Sequence, residues 1–157
     1  MKKKLSAFLT LLLILGVLFT GGFEELSAPA PEAVTDATGY SEETIREDEW
    51  YYSVHDVALY LHSYGHLPDN FITKSEAASL GWQGGSVEPY AEGHVIGGDL
   101  FGNREGLLPE AKGRVYYECD IGTLGEDSRG AQRIVFSNDG LIYYTQDHYE
   151  SFELLYE

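Results

Sequence analysis

The chain has 157 residues, of which 43% are hydrophobic, and this fits one compact domain plus processing segments. Its 26 acidic residues against 10 Lys and Arg leave a net charge of −16, which excludes long-range attraction of a polyanion. Cys119 is the only cysteine, so an internal disulfide is excluded and the core alone must hold the fold.

The N-terminus has the composition of an export signal. Three lysines at positions 2–4 precede an apolar run over residues 5–19, and two glycines follow. A basic start and a short apolar stretch are typical of a secretory signal peptide, whereas a membrane span needs about 20 apolar residues. We expect removal of residues 1–22 to leave a secreted, extracellular protein without stable membrane association. Cleavage after Ala30 and an uncleaved anchor are the alternatives.

The next segment, residues 23–49, contains nine acids and one base together with Pro29 and Pro31. This composition predicts an acidic linker or pro-segment, because it offers little apolar surface to bury. Residues 50–157 then form the domain, with 17 acids and 6 bases and thus a net charge of −11.

The first half of the domain has helical patterns. Ser53 is placed to cap a helix whose apolar residues recur on one face, and Gly65 ends it. Thr73 and Glu76 fit a capping box that opens a short second helix, which we expect to stop at Gly81.

The second half changes to strands rich in aromatic and β-branched residues, separated by Gly, Asn and Asp. The expected strands cover residues 94–100, 114–121, 132–137, 141–145 and 152–156, and Asn138-Asp139-Gly140 is a hairpin turn. Helices followed by a meander of strands predict an α+β fold, with N-terminal helices packed on a five-stranded antiparallel β-sheet.

Four side chains in the last part of the chain suit phosphoryl chemistry. Glu118 is a candidate general base, His148 a candidate general acid, and Arg129 and Arg133 are permanent cations in an acidic chain. Each residue is ambiguous alone, because a strand Glu is usually a solvent-facing carboxylate and the domain has four other histidines.

Longer motifs follow one another in an order known from one family. They read LPDNFITKSEA at 67–77, IGGDLF at 96–101, NREG at 103–106, LIY at 141–143 and TQDHY at 145–149. With these motifs the chain resembles the barnase-like, guanyl-preferring extracellular ribonucleases of the microbial ribonuclease family, over roughly residues 54–152. The resemblance implies the microbial ribonuclease fold, with the active groove across the open face of the sheet.

The resemblance also implies an endoribonuclease that cleaves single-stranded RNA after guanosine without metal or cofactor. Transesterification to a 2′,3′-cyclic phosphate would come first, followed by hydrolysis. Matched to the family, Glu118 is the base and His148 the acid of the first step. Lys74, Arg129 and Arg133 match the cations that contact the phosphate.

Guanine recognition is implied for the NREG segment. Glu105 matches the carboxylate that accepts from the base, and the backbone N–H groups around Asn103 and Arg104 match its donors. Gly102 stands where the family has serine. For Tyr149 the sequence leaves two roles open, stacking on a base and plain packing.

The chain departs from the family pattern in two ways, and one other interpretation of its function competes with the enzyme. The stretch between Glu118 and Arg129 is one residue longer than in the family, and the domain is acidic where its basic relatives attract RNA. The competing interpretation is a catalytically silent ribonuclease-fold module that binds RNA or protein. Its signature would be loss of the base or the acid, and both are present.

The expected partners are single-stranded RNA and, by the resemblance, a barstar-like protein inhibitor. Such an inhibitor would concentrate its acids on the small basic patch around Lys74, Arg104, Arg129 and Arg133. We expect the enzyme itself to be a monomer.

Overall fold

The computed structural model describes residues 44–157, and the expected signal peptide and most of the acidic segment lie outside this range. The structure contains two helices and six strands. Helices and strands alternate at first, and the remaining elements are all strands. In chain order they are α1 (Val54–Tyr64), β1 (Phe71–Ile72), α2 (Lys74–Ser79), β2 (Val95–Phe101), β3 (Tyr116–Asp120), β4 (Arg133–Ser137), β5 (Ile142–Thr145) and β6 (Glu153–Tyr156). No helix within residues 44–157 has the length and apolar character to cross a bilayer.

Both predicted helix starts are present. Ser53 caps α1 by accepting a hydrogen bond from the Asp56 amide, and Gly65 ends the helix in the left-handed conformation with φ 76°. Thr73 and Glu76 form the predicted capping box of α2. This helix ends at Ser79, two residues before the predicted stop.

The sheet has the order β1-β2-β3-β4-β5-β6, and neighbouring strands from β2 to β6 are antiparallel. The predicted α+β class and the five-stranded antiparallel meander are therefore confirmed. The sixth strand was not predicted. Phe71 and Ile72 pair in parallel with Val95 and Ile96, and two residues are too few to show a strand period.

The two faces of the sheet have different surroundings. One face packs against α1 through a core that includes Cys119, Ile134 and Ile142. Because side chains alternate along a strand, the neighbours of Cys119 in β3, Glu118 and Asp120, lie on the opposite face. That face carries the candidate site.

The chain also packs on α1 before residue 50. The hydroxyl of Tyr60 donates to the carbonyl oxygen of Glu47 at 3.0 Å, and the hydroxyl of Tyr64 donates to that of Ile45 at 3.0 Å. The last residues of the segment expected to be a linker thus contact the helix that covers the core.

Candidate active site

A cleft of about 420 Å³ crosses the sheet face opposite α1. It brings together all ten side chains or loop positions that the sequence analysis assigned to a site. They are Lys74, Gly102, Asn103, Arg104, Glu105, Glu118, Arg129, Arg133, His148 and Tyr149. Leu100 and Phe101 complete the lining.

Glu118 lies at the centre of this set and is only 8% exposed. Lys74 Nζ donates to its Oε1 at 2.6 Å, and the Tyr149 hydroxyl donates to its Oε2 at 2.5 Å. Burial alone would raise the pKa of Glu118, but these two hydrogen bonds and the charges of Lys74 and Arg129 outweigh it and hold the pKa below its usual value. The carboxylate is therefore ionised at neutral pH.

Lys74 reaches Glu118 from the first turn of α2. The capping box fixes this turn, and the Lys74 amide donates to Asp99 Oδ2 on β2 at 3.0 Å. This bond joins the start of α2 to the sheet. The lysine side chain is 39% exposed, so its charge faces the cleft as well as the carboxylate.

The two arginines share a buried acid that the sequence analysis did not assign to the site. Asp120 is 1% exposed and accepts two hydrogen bonds from Arg129, at 2.6 Å from Nε and 2.8 Å from Nη2. Arg133 Nε lies 2.8 Å from Asp120 Oδ1, as an ion pair without hydrogen-bond geometry. A signal was available, because Asp120 follows Glu118 by two residues and a buried carboxylate needs a cationic partner.

Arg133 differs from Arg129 in exposure. Its side chain is 2% exposed, and its guanidinium donates to the carbonyl oxygens of Arg129, Gly130 and Gln132. Most of its donors are thus used within the protein, and it offers the cleft a fixed positive charge. Arg129 is 24% exposed and keeps more of its surface open.

His148 lies in the turn between β5 and β6, next to Tyr149. Both residues have left-handed backbones, with φ 58° and 76°, and such conformations in non-glycine residues cluster at functional sites. The turn is held by Asp147, which accepts from Ser151 and Thr145, and these bonds lower the pKa of Asp147 to about 2. The imidazole is exposed and has no hydrogen-bond partner within residues 44–157.

Tyr149 has a contact that the sequence did not indicate. Of the two roles left open, packing is visible, since its ring lies 5.1 Å from that of Phe101. Its hydroxyl, however, binds Glu118, and burial together with this carboxylate raises the pKa of Tyr149. The phenol therefore remains a protonated donor to the carboxylate.

The loop after β2 is preorganised by Asn103. The side chain of Asn103 donates to the carbonyl oxygen of Leu108 at 2.9 Å and accepts from its amide at 3.0 Å. Because these bonds use the side chain, only the backbone of Asn103 remains for a ligand. Arg104 and Glu105 are exposed on the same loop. A Cβ added at Gly102 would meet Arg104 at 3.5 Å, an ordinary contact, so this glycine is not required by space.

The site thus combines an ionised carboxylate, an exposed imidazole and four cations in one cleft. Within residues 44–157 no three His, Cys, Asp or Glu side chains are grouped so that they could hold a metal ion. The arrangement can remove a proton from one oxygen, deliver one to another and stabilise negative charge between them.

Comparisons with known proteins agree on one family. A family model described as ribonuclease matches residues 55–156. The chain is 42% identical to a ribonuclease of Bacillus intermedius, over 96% of this chain and 97% of that protein. It is 52% identical to a ribonuclease of Heyndrickxia coagulans, over 61% of this chain and 89% of that protein. It is also 44% identical to guanyl-specific ribonuclease St of Saccharopolyspora erythraea, over 45% of this chain and 65% of that protein.

Proposed function

Since the chain belongs to the ribonuclease family, we propose that it is a secreted endoribonuclease that cleaves single-stranded RNA after guanosine without metal or cofactor. One observation carries the proposal. A nearly buried and ionised Glu118 lies in the same cleft as His148 and as the cations Lys74, Arg129 and Arg133. Export is supported by the basic and then apolar composition of residues 1–22.

In the first step Glu118 takes the proton of the ribose 2′-hydroxyl while the 2′-oxygen attacks phosphorus. The bond from phosphorus to the 5′-oxygen breaks, and His148 protonates the departing oxygen. A 2′,3′-cyclic phosphate and a free 5′-hydroxyl result. The lowered pKa of Glu118 keeps it ionised for this task, and the exposed imidazole can exchange its proton with water.

The phosphorane between these groups gathers negative charge on its equatorial oxygens. Arg129 and Arg133 supply charges fixed by Asp120, so little reorganisation is needed when the charge develops. Lys74 contributes in a different way. Once Glu118 has taken the proton, Lys74 loses its anionic partner. The positive charge of Lys74 then stabilises the negative charge of the phosphorane.

The second step reverses the roles. His148 takes a proton from water, the water oxygen attacks phosphorus, and Glu118 returns its proton to the 2′-oxygen as the ring opens. A 3′-phosphate on guanosine results. The same two side chains can serve both steps because the base of one direction is the acid of the other.

Guanine preference is assigned to the loop held by Asn103. The exposed carboxylate of Glu105 accepts from the N1–H and the 2-amino group, and backbone amides of Asn103 and Arg104 donate to O6. Support comes from the guanyl-specific relative and from the two bonds that fix this loop. The face of Tyr149 supplies the aromatic surface beside it.

The test offers single-stranded RNA to the purified protein in the presence of EDTA and identifies the ends formed. We expect guanosine 2′,3′-cyclic phosphate ends first and 3′-phosphate ends later. Glu118→Gln and His148→Ala each lower kcat/KM by about 10²- to 10⁴-fold. His55→Ala, an exposed histidine outside the cleft, serves as the control. Loss of activity in EDTA, or cleavage that survives both substitutions, would contradict the mechanism.

A further inference from the structure

Two loops meet beside the cleft and are joined by hydrogen bonds. The first, residues 80–94, connects α2 to β2, and the second, residues 121–132, connects β3 to β4 and carries Arg129. The Ser86 amide donates to the carbonyl oxygen of Asp127 at 3.2 Å, and the Gly125 amide donates to Glu88 Oε2 at 2.8 Å. The second loop is thus bound to the first just before Arg129.

The surface between the two loops is open. A shallow groove of about 510 Å³ lies between the two loops, lined mostly by glycine, proline and acidic residues. The hydrogen bond from the Gly125 amide to Glu88 crosses this groove and helps to fix where the second loop lies. Glu88 itself is half-buried, and its own amide donates to Ser86 Oγ.

The first loop also contacts Arg129 itself. The guanidinium carbon of Arg129 lies 5.9 Å from the ring centroid of Trp82, within the range of a cation–π interaction. Asp120 binds the same guanidinium through Nε and Nη2. The arginine is therefore held by a carboxylate and by an aromatic ring.

Trp82 is well placed to hold a neighbour because it is itself fixed. Its indole N–H donates to the carbonyl oxygen of Gly85 at 3.1 Å, and its amide donates to that of Ala77 in α2. The ring packs against a small core of Ala77, Val87 and Ile96. The helix that carries Lys74 thus also supports the platform under Arg129.

We propose that Trp82 and Glu88 are positioning residues for Arg129 in RNA cleavage. The indole ring holds the guanidinium, and the Glu88 carboxylate holds the loop that carries it. This inference rests on the proposed role of Arg129 at the phosphate. It extends the set of residues that support catalysis to a loop that does not line the cleft.

The charge of Arg129 gives a readout that separates positioning from simple stability. Arg129 is one of the groups that keep the pKa of Glu118 low. If the guanidinium moves, Glu118 loses part of this stabilisation, and its pKa rises. The acidic limb of the pH–rate profile then shifts to higher pH, which a general loss of stability would not produce.

The experiment measures kcat, KM and the pH profile on a guanylyl-uridine dinucleotide. We expect Trp82→Leu and Glu88→Ala each to lower kcat about two- to fivefold, with a smaller rise in KM and an upward shift of the acidic limb. Trp82→Phe keeps a ring and Glu88→Gln keeps an oxygen acceptor for Gly125, so both should retain most activity. Glu92→Ala removes an exposed carboxylate of the same loop and is the charge control.

A double-mutant cycle gives the decisive result. In the Arg129→Ala background, Trp82→Leu and Glu88→Ala should cause no further loss, since the residue on which they act is gone. Losses of the same factor with and without Arg129 would overturn the inference. So would an unchanged acidic limb in variants with reduced melting temperatures.

A second readout does not depend on turnover. The affinity for inorganic phosphate, measured by calorimetry, should fall in Trp82→Leu and Glu88→Ala, and the same cycle with Arg129→Ala should show no additive loss. If the unsubstituted protein fails to cleave RNA, the proposed function fails, and the phosphate cycle still decides the positioning role. Additive losses of phosphate affinity would then refute it.

Discussion

Glu118 has two hydrogen-bond donors of different kinds. Lys74 brings a full positive charge at 2.6 Å, and Tyr149 brings a neutral hydroxyl at 2.5 Å. The burial of the carboxylate opposes its ionisation, so these donors decide its charge state. Removing the neutral donor tests this balance without changing the net charge of the cleft.

Tyr149→Phe keeps the ring against Phe101 and removes only the hydroxyl. The carboxylate of Glu118 is then less stabilised and its pKa rises. Because the base must be ionised, and ionisation is lost as the pH falls through this pKa, the acidic limb of kcat/KM should move to higher pH. Activity near pH 7 should change little. Tyr143→Phe, in the same aromatic cluster, is the control. An unmoved limb would mean that Glu118 is not the titrating base.

The burial of Asp120 leads to a prediction about stability. It is 1% exposed beside an Arg133 side chain that is 2% exposed, so Asp120→Asn leaves a buried cation without its counter-ion. We expect the free energy of unfolding, measured with urea, to fall by about 3–5 kcal/mol. Asp139→Asn breaks the more exposed pair with Arg114 and should cost clearly less. Equal losses would show that burial does not set the cost.

The residues of the site were predictable to different degrees. Glu118, His148 and the cations follow from motifs, and all of them line one cleft. Asp120 was missed because an acid in a strand is usually a solvent-facing carboxylate, although its spacing of two from Glu118 places both on one face. The contact of Trp82 with Arg129 joins residues that are 47 positions apart, and no pattern in either segment predicts it. Local sequence patterns therefore predict the candidate catalytic residues better than they predict the residues that position those side chains.

At the scale of elements, α2 shows how a capping motif serves the site. Its capping box was predictable because Thr73 and Glu76 have the required spacing. The strand β1 was not predictable, since two residues show no alternation and their partners in β2 lie 24 positions further along the chain. Short elements are defined by tertiary contacts, and the sequence does not encode them locally.

The caps of the two helices give a matched pair of variants. Thr73→Ala and Ser53→Ala each remove an N-cap and should each lower the free energy of unfolding by about 1 kcal/mol. Only Thr73 precedes Lys74, so only Thr73→Ala should also lower kcat/KM, by severalfold. Urea unfolding and initial rates on the same samples check both parts. Equal activity in the two variants would show that the cap does not position Lys74.

At the scale of the whole molecule, charge opposes the proposed substrate. Residues 50–157 carry 17 acids and 6 bases, and four of those bases line the cleft. An approaching polyanion therefore meets a repulsive field at long range and attraction only inside the cleft. The field acts on the encounter rate, whereas the fixed cations act on the bound phosphate.

The dependence on salt follows from this distribution. Added salt shortens the screening length from about 30 Å at 0.01 M to about 8 Å at 0.15 M, which weakens the long-range repulsion before the contacts inside the cleft. We expect kcat/KM on long single-stranded RNA to stay level or rise over this range. A guanylyl-uridine dinucleotide, with one phosphate, should show a smaller change and serves as the control. A steep fall for the long substrate would mean that many phosphates bind cations outside the cleft, and the acidic surface would then not govern the encounter.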